Sequence, residues 1–522
     1  MQKKQDKSKR EKPKPPKLKS GKQKNEKKES NPAFLAYVSA LPTRDAERIS
    51  LFFADLAQHC ALSKTESALL RKDFEQALLR YAALSVPLDV ALERLDVMHL
   101  GGFYVRPPSL WYTLDDAAKI YPLAMKYGQM AVFRLSVYLK EPVIPEFLQM
   151  AVNFTIKRFP SFATTVKKGF FWHYLDATKR RYEVLPETDI PCQPLHISYS
   201  ASQTFRVLWY NNRISVEFFH ILTDGTGGMV FLKTLVATYL RLWGGICAET
   251  DLPDIDAPPA AEEVENAFLR AEKTDTPGGF FDAPAVQMSG SLSKIKPCQV
   301  LHFRLDAAGL KQIANEQGCT VTAYILSKLF LALKAATDQL EGTFHIQVPV
   351  NMRKFYPAKT LRNFALYCGI RLPISKIQAG PALVQEIAGQ LAEKASKKAM
   401  GDMMCATQKL VNALRYIPLA LKTPVARSIY GFLGDGIFST TFSNLGLVTM
   451  PSAYTTYIES MDFVLGTAIT NRASCSMVTF GNIATLSIAK LTTDPSFEEA
   501  LFRVLLEDGL VPEVEGSRLY EN

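Results

Sequence analysis

From about residue 45 to 100, apolar side chains recur at three- and four-residue spacing: Ile49, Leu51, Phe52 and Leu56, then Leu69, Leu70, Phe74, Leu78 and Leu79. This period predicts helices with one buried stripe. Pro87 opens a third short helix through Leu95, so three helices are expected within this stretch, forming a small N-terminal appendage. The period changes to two at Met130. In AVFRLSVYL, Val132, Arg134, Ser136 and Tyr138 share one face and Phe133, Leu135 and Val137 the other, which predicts a strand. Pro145 then begins a helix with Phe147, Leu148, Ala151, Val152 and Ile156 on one stripe, and Pro160 ends it.

Two further strands, TFRVLWY and RISVEFF, meet at Asn211 and Asn212, residues that accept the backbone of a tight hairpin turn. In the second strand Ile214, Val216, Phe218 and His220 alternate onto one face, which puts His220 at the strand's C-terminal end. A glycine-rich turn, Thr223 to Gly228, leads into a helix carrying Met229, Leu232, Leu235, Val236, Tyr239 and Leu240. The 250–300 stretch is rich in Pro, Asp, Glu, Ala and Gly and predicts a linker or crossover. A second half follows. VLHFRL is a predicted strand, Asp306 and Thr320 are helix caps, and FHIQVPVNM and FALYCGIRL are strands. Two helices over 381–425, strands over 437–490 and a closing helix ending at Gly509 complete it.

With no regular βαβ repeat, the order predicts an α/β chain with α+β-type mixed sheets rather than a doubly wound one. The expected division is a tail at 1–30, a helical N-terminal appendage at 31–105, a first lobe at 106–260, a linker at 261–298 and a second lobe at 299–522.

Charge changes the picture of the tail only. The chain has 61 Lys plus Arg against 51 Asp plus Glu, but residues 1–30 hold 13 bases and 4 acids. The remaining 492 residues therefore net +1, which argues against nucleic acid as a partner. The tail has no aromatic residue and no apolar period, and its composition predicts disorder. An arm of this kind is either a solvated, solubilising extension or a polyanion-binding one that suits an acidic carrier protein, a phosphorylated cofactor or an anionic membrane surface. The eight cysteines form no C-x-x-C pair, and no apolar run has the length of a spanning helix. The expectation is a monomer with reduced thiols in the cytoplasm, peripheral to a membrane where the tail engages lipid.

The chemistry concentrates in HILTDG, His220 to Gly225. A chain of this composition contains a chance H-x-x-x-D-G about 0.02 times. An imidazole near neutral pH is a general base for a hydroxyl, amine or thiol when one ring nitrogen is unprotonated. Asp224, four residues on, fixes the turn by pairing with a base elsewhere, and Gly225 allows close approach to the backbone. His173, His302 and His345 lie in strands without zinc-ligand spacing, so no metal is assigned.

This motif resembles the H-x-x-x-D-G of the CoA-dependent acyltransferase superfamily, which includes chloramphenicol acetyltransferase, condensation domains of peptide synthetases and alcohol acyltransferases. WYTLDDAAKIYP (111–122) is similar to the opening of bacterial alcohol acetyltransferase-like members. Arg158 and Pro160 match an R-x-P after the first helix, and CTVTAYILSKLFLALK matches the buried helix of the second half. Asn351, Arg353 and Asn363 lie in the N-x-R to R-N-F stretch, and FSNLG (442–446) occupies the place of a variable second motif. The resemblance spans about 111–510. It departs at Phe219, where many condensation domains have another histidine, and it lacks the plant D-F-G-W-G.

The resemblance implies two chloramphenicol-acetyltransferase-like lobes forming a pseudo-dimer with a tunnel between them. It implies acyl-CoA as co-substrate with no bound cofactor, and direct transfer to a small alcohol or amine with His220 as base. Ser443 or Asn444 is the implied oxyanion donor, Arg353 the implied partner of Asp224, and Asn363 an architectural residue. Two other functions fit the same motif: a condensation-type enzyme fed by a carrier protein, and a non-catalytic member that binds a lipid or partner.

Overall fold

The computed structural model describes residues 31–119, 121–124, 130–195, 203–249, 251–272, 283–424, 436–467 and 471–520. The expectations for the tail at 1–30 lie outside the described residues.

The 45–100 stretch holds three helices, α2 (Thr43–Gln58), α3 (Lys64–Ala83) and α4 (Leu88–Arg94), and among the described residues one more, α1 (Pro32–Ala40), precedes them. The extra one, α1, has the sequence PAFLAYVSA, almost uniformly apolar, so it shows no stripe; Asn31 caps it and Pro32 starts it. In α2 the inward residues are Ile49, Phe53 and Leu56, while Leu51 is 70% exposed. The stripe expected from Leu51 and Phe52 is therefore rotated by about one position.

These helices share a core with the first lobe. The Phe74 ring meets Phe154 edge-on at 6.1 Å, and Tyr81 lies 4.4 Å from Phe147. The Tyr81 hydroxyl donates to Leu242 O at 2.5 Å. Buried Asp73 receives Arg181 at 2.6 and 2.9 Å and Asn153 at 3.0 Å, which ties α3 to the lobe through a satisfied polar network.

The first half continues with β1 (Trp111–Thr113), α5 (Tyr121–Ala124), β2 (Val132–Leu139), α6 (Pro145–Thr155), β3 (Thr164–Lys168) and β4 (His173–Ala177). It ends with β5 (Val184–Pro186), β6 (Phe205–Tyr210), β7 (Arg213–Phe219) and α7 (Gly225–Gly244). Asn211 has φ +49° at the β6–β7 turn, the left-handed conformation its side chain type tolerates.

The second half holds β8 (Gln299–Asp306), α8 (Ala307–Glu316), α9 (Val321–Ala335), β9 (Thr343–Asn351), β10 (Ala365–Pro373), α10 (Pro381–Lys394) and α11 (Lys397–Ala413). Then come β11 (Thr440–Val448), α12 (Ser452–Thr455), β12 (Ile458–Leu465), β13 (Ala473–Phe480), β14 (Ile483–Lys490), α13 (Ser496–Glu507) and β15 (Glu513–Gly516). Asp306 and Thr320 cap α8 and α9 with their side chains, accepting from Gly309 N and Ala323 N.

Three sheets result. A small one has the order β1-β4-β3, the first lobe's is β12-β2-β7-β6-β5, and the second lobe's is β10-β9-β11-β13-β14-β8-β15. Both large sheets are mixed, since β5 runs parallel to β6, and β11 runs parallel to β9 and β13. One strand crosses the expected division. β12, from the second half, pairs antiparallel with β2 in the first lobe's sheet, with Val464 opposite Arg134. A sequence division at 299–522 cannot show such an exchange, because it is a pairing across more than 300 positions.

The 250–300 connection is not loose where it passes the seam. Arg158, at the end of α6, makes a bidentate bond to Glu263 at 2.5 and 2.7 Å and reaches Asp254 O at 3.1 Å. Glu263 O accepts from Leu361 N at 2.8 Å, which attaches the connection to the second lobe as well. All eight cysteines are free thiols, five of them buried, and no single described helix is long and apolar enough to cross a membrane.

Candidate active site

The site begins at the end of β7. Ile214, Val216 and Phe218 are fully buried, and His220 follows one residue past the strand. His220 N donates to Ala131 O at 2.8 Å, which holds the backbone there against the start of β2. Two rings bracket the imidazole: Tyr121 stacks on it at 5.1 Å and 20°, and Phe133 meets it edge-on at 5.3 Å.

Burial lowers the His220 pKa from its ordinary 6.5, opposed by a hydrogen bond to its own backbone carbonyl and by the Asp224 charge. Nδ1 therefore lies between an acceptor, that carbonyl, and a donor, the Asn363 amide nitrogen. Asn363 Nδ2 donates to the same His220 carbonyl at 3.2 Å and lies 3.2 Å from Nδ1, while its Oδ1 accepts from Ala365 N at 3.3 Å. Asn363 thus reaches across from the second lobe to the histidine itself. Nε2 makes no hydrogen bond among the described residues.

Asp224 is the N-cap of α7 and has no oxygen to spare. Oδ1 accepts from Gly227 N at 3.0 Å, and Oδ2 accepts from Phe364 N and from Arg353 Nη1, both at 2.7 Å. The remaining Arg353 donors reach Thr360 O at 3.1 and 2.8 Å, Arg362 O at 2.8 Å and Asn351 Oδ1 at 3.2 Å. The structure therefore joins Asp224 to Arg353 as expected, and the pair fastens the first lobe's motif to the second lobe's 351–364 segment. Thr223 Oγ1 donates to Leu361 O at 2.6 Å, and Asn351 Nδ2 donates to Thr226 Oγ1 at 3.1 Å, which adds two more fastenings.

The glycines allow this contact. A Cβ at Gly227 would lie 2.1 Å from Leu361 O, and one at Gly225 would lie 2.6 Å from Leu445 Cδ2. The first obstacle is backbone and the second a side-chain end that can swing away. Gly227→Ala is therefore expected to destabilise the protein by about 1–3 kcal/mol and to lower transfer with it, whereas Gly225→Ala is milder. Thermal unfolding of the two variants checks this; equal midpoints count against the clamp.

Ser443 and Asn444 are not brought into hydrogen-bond contact with His220. Asn444 closes a bulge in β11: its Oδ1 accepts from Gly446 N at 2.8 Å and its Nδ2 donates to Thr322 Oγ1 at 3.2 Å. The segment reaches the motif through Leu445 instead. The Ser443 hydroxyl makes no hydrogen bond among the described residues.

Sequence reasoning missed Tyr121, Phe133 and the pair Asp115 and Arg362. Buried Asp115 accepts from Ala118 N at 2.8 Å and lies 3.7 Å from Arg362 Nη2, and burial pushes its carboxyl up to about 6 despite the guanidinium. Arg362 also donates to Thr113 O, and it immediately precedes Asn363. The D-D-A-A segment before Tyr121 is thereby anchored to the β9–β10 connection that carries Asn363. The signal in the sequence was the run of acids beside an aromatic in LDDAAKIY, which gave no partner by itself.

No protein-family model matches the chain, and no curated protein is significantly similar to it in sequence. Solved structures do share its fold. TRI101 of Fusarium sporotrichioides, solved with coenzyme A and T-2, superposes with a TM-score of 0.56 at 11% identity, covering 77% of this chain and 100% of that one. TRI3 trichothecene 15-O-acetyltransferase of the same fungus gives 0.52 at 12% identity over 76% of this chain and 94% of that one. Polyketide synthase associated protein 5 of Mycobacterium tuberculosis gives 0.52 at 12% identity over 77% and 98%. The two mixed-sheet lobes, the exchanged strand and these superpositions together establish that the chain is built on the fold of the CoA-dependent acyltransferases.

Proposed function

We propose that the protein is an O-acyltransferase that moves an acyl group from acyl-CoA to an alcohol, with His220 as the general base. The observation that carries this reading is the imidazole itself. It is held between two rings with Nδ1 beside Asn363 and Nε2 without a hydrogen bond among the described residues, on a loop fastened across the seam of a fold shared with TRI101, which was solved with coenzyme A. In this reading Nε2 takes the hydroxyl proton as the alcohol oxygen bonds to the thioester carbonyl carbon. The tetrahedral intermediate then collapses with cleavage of the carbon–sulfur bond, and the imidazolium returns the proton to the leaving thiolate. No acyl-enzyme forms.

Asp224 takes no proton, because both its oxygens are occupied by donors. The Ser443 hydroxyl, which has no hydrogen bond among the described residues, is the proposed oxyanion donor, and Asn444 is assigned to the bulge.

A thiol-release screen with several acyl-CoAs against panels of alcohols and amines tests the reaction. Because burial lowers the His220 pKa below 6.5, the neutral base is already present at mildly acidic pH. The expected kcat/KM profile is flat from about pH 7 upward and falls only below about pH 6.5, with an acid-limb pKa under the ordinary histidine value. An acid limb centred above pH 7 sinks the assignment.

A further inference from the structure

The turn between β3 and β4 closes where Gly169 N donates to Trp172 O at 3.0 Å, which puts Phe170 and Phe171 at its tip. Phe170 is 71% exposed and its ring meets Phe171 edge-on at 4.8 Å. The chain at 410–424 lies against this tip: Leu419 N donates to Phe170 O at 2.8 Å, and Lys422 Nζ sits 3.2 Å from the Trp172 ring centre. It contributes Tyr416, 73% exposed, and Leu421, 66% exposed, with Ile417 beside them. Single exposed apolar side chains are ordinary, but five on two adjoining segments form a patch that marks an interaction surface.

Charge sets the same region apart. The segments that meet at this patch, 164–177 and 410–424, hold Lys167, Lys168, Arg415 and Lys422 against Asp176, a net +3. Since residues 31–522 net +1, the rest of the body nets −2. Lys168 is exposed beside Phe170, and the Arg415 guanidinium lies 4.7 Å over the exposed Tyr416 ring. Aromatic and aliphatic side chains surrounded by cations on long stems are the composition that settles at a membrane interface, apolar parts in the acyl boundary and charges at the phosphates.

We propose that this face docks on an anionic lipid bilayer, with Phe170, Phe171, Tyr416 and Leu421 entering the interface. The shape favours a bilayer over an acidic protein: the apolar groups project from a hairpin tip, and a fluid surface accommodates a wedge for which a protein would need a matching groove. Lys119, also over the Trp172 ring at 5.8 Å, belongs to the segment just before Tyr121, whose ring stacks on His220. The Lys-rich residues 1–30 supply a second, purely electrostatic attraction, and two weak signals together give the stable anchoring that one does not.

Vesicle co-sedimentation of the full chain tests the proposal. Vesicles of phosphatidylcholine alone are compared with vesicles containing phosphatidylserine, at low salt and at about 0.5 M salt, where exposed charges are largely screened. The full chain is expected on the anionic vesicles, with a fraction retained at high salt. A Phe170→Ser/Leu421→Ser variant is expected to lose that retained fraction and to partition about tenfold less or worse. Both side chains are exposed, so thermal unfolding should match the parent. Equal partitioning of the variant overturns the proposal, as does absence of the parent from anionic vesicles or capture of an acidic carrier protein in their place. His220→Ala should partition like the parent, so the outcome is independent of the acyl-transfer reading.

Discussion

Replacing His220 by Ala is expected to lower the rate of acyl transfer by about 10²–10⁴-fold, the range of a lost general base, and to leave the fold intact. The reason for the second half lies in the contacts. The bonds that fasten this loop come from the His220 backbone, Thr223, Asp224 and Thr226, and none needs the imidazole. What the ring loses is its stacking on Tyr121 and its edge contact with Phe133, worth about 0.5–1.5 kcal/mol each. Circular dichroism and a thermal midpoint within a few degrees of the parent would establish the fold. Single-turnover measurement with a verified acyl-CoA and acceptor would then read the chemical step. A variant that transfers at the parent rate removes His220 from the mechanism.

The companion substitution at Asn363 separates positioning from chemistry. Asn363→Ala removes one donor to the His220 carbonyl but leaves Nε2 in place. Its effect should therefore be smaller, and visible in the pH profile as well as in kcat.

What the sequence made legible was local. The β6–β7 hairpin follows from Asn-Asn between two alternating runs, and the caps at Asp306 and Thr320 from short polar residues just before apolar periods. The motif loop was legible because a histidine at a strand end followed by Asp-Gly-Thr-Gly-Gly has few other uses. Pairings between distant segments were not. β12 alternates like any strand, and nothing in Ile458–Leu465 states that its partner is β2 and not a neighbour in the second half. Tyr121 is one aromatic among 20 tyrosines, and the Asp115–Arg362 contact that anchors the segment before it joins residues about 250 positions apart in the chain. The resemblance to a known superfamily supplied Arg353 as a partner for Asp224, and geometry supplied the reason: a guanidinium whose other donors are all engaged by the second lobe.

Breaking that pair is expected to have the other large effect. Asp224→Ala leaves the Arg353 guanidinium without its carboxylate and strips Gly227 N and Phe364 N of their acceptor. Removal of one partner from a buried ion pair costs about 3–5 kcal/mol, because the remaining charge keeps its desolvation penalty. Arg353→Leu leaves the carboxylate with two N–H donors and should sit at the lower end of that range. The double variant leaves no unpaired charge, so its loss should fall short of the sum of the singles by at least about 1 kcal/mol, a coupling that denaturant titration can read. Transfer discriminates further. If Asp224 works by holding the loop, Arg353→Leu must lower kcat by roughly 10²-fold as well, since the bonds that Arg353 makes to the 360–362 segment and to Asp224 fix His220 relative to the second lobe. If instead Arg353→Leu transfers normally while Asp224→Ala does not, the carboxylate acts on the chemistry directly, and the lobe clamp described by these distances is incidental to catalysis.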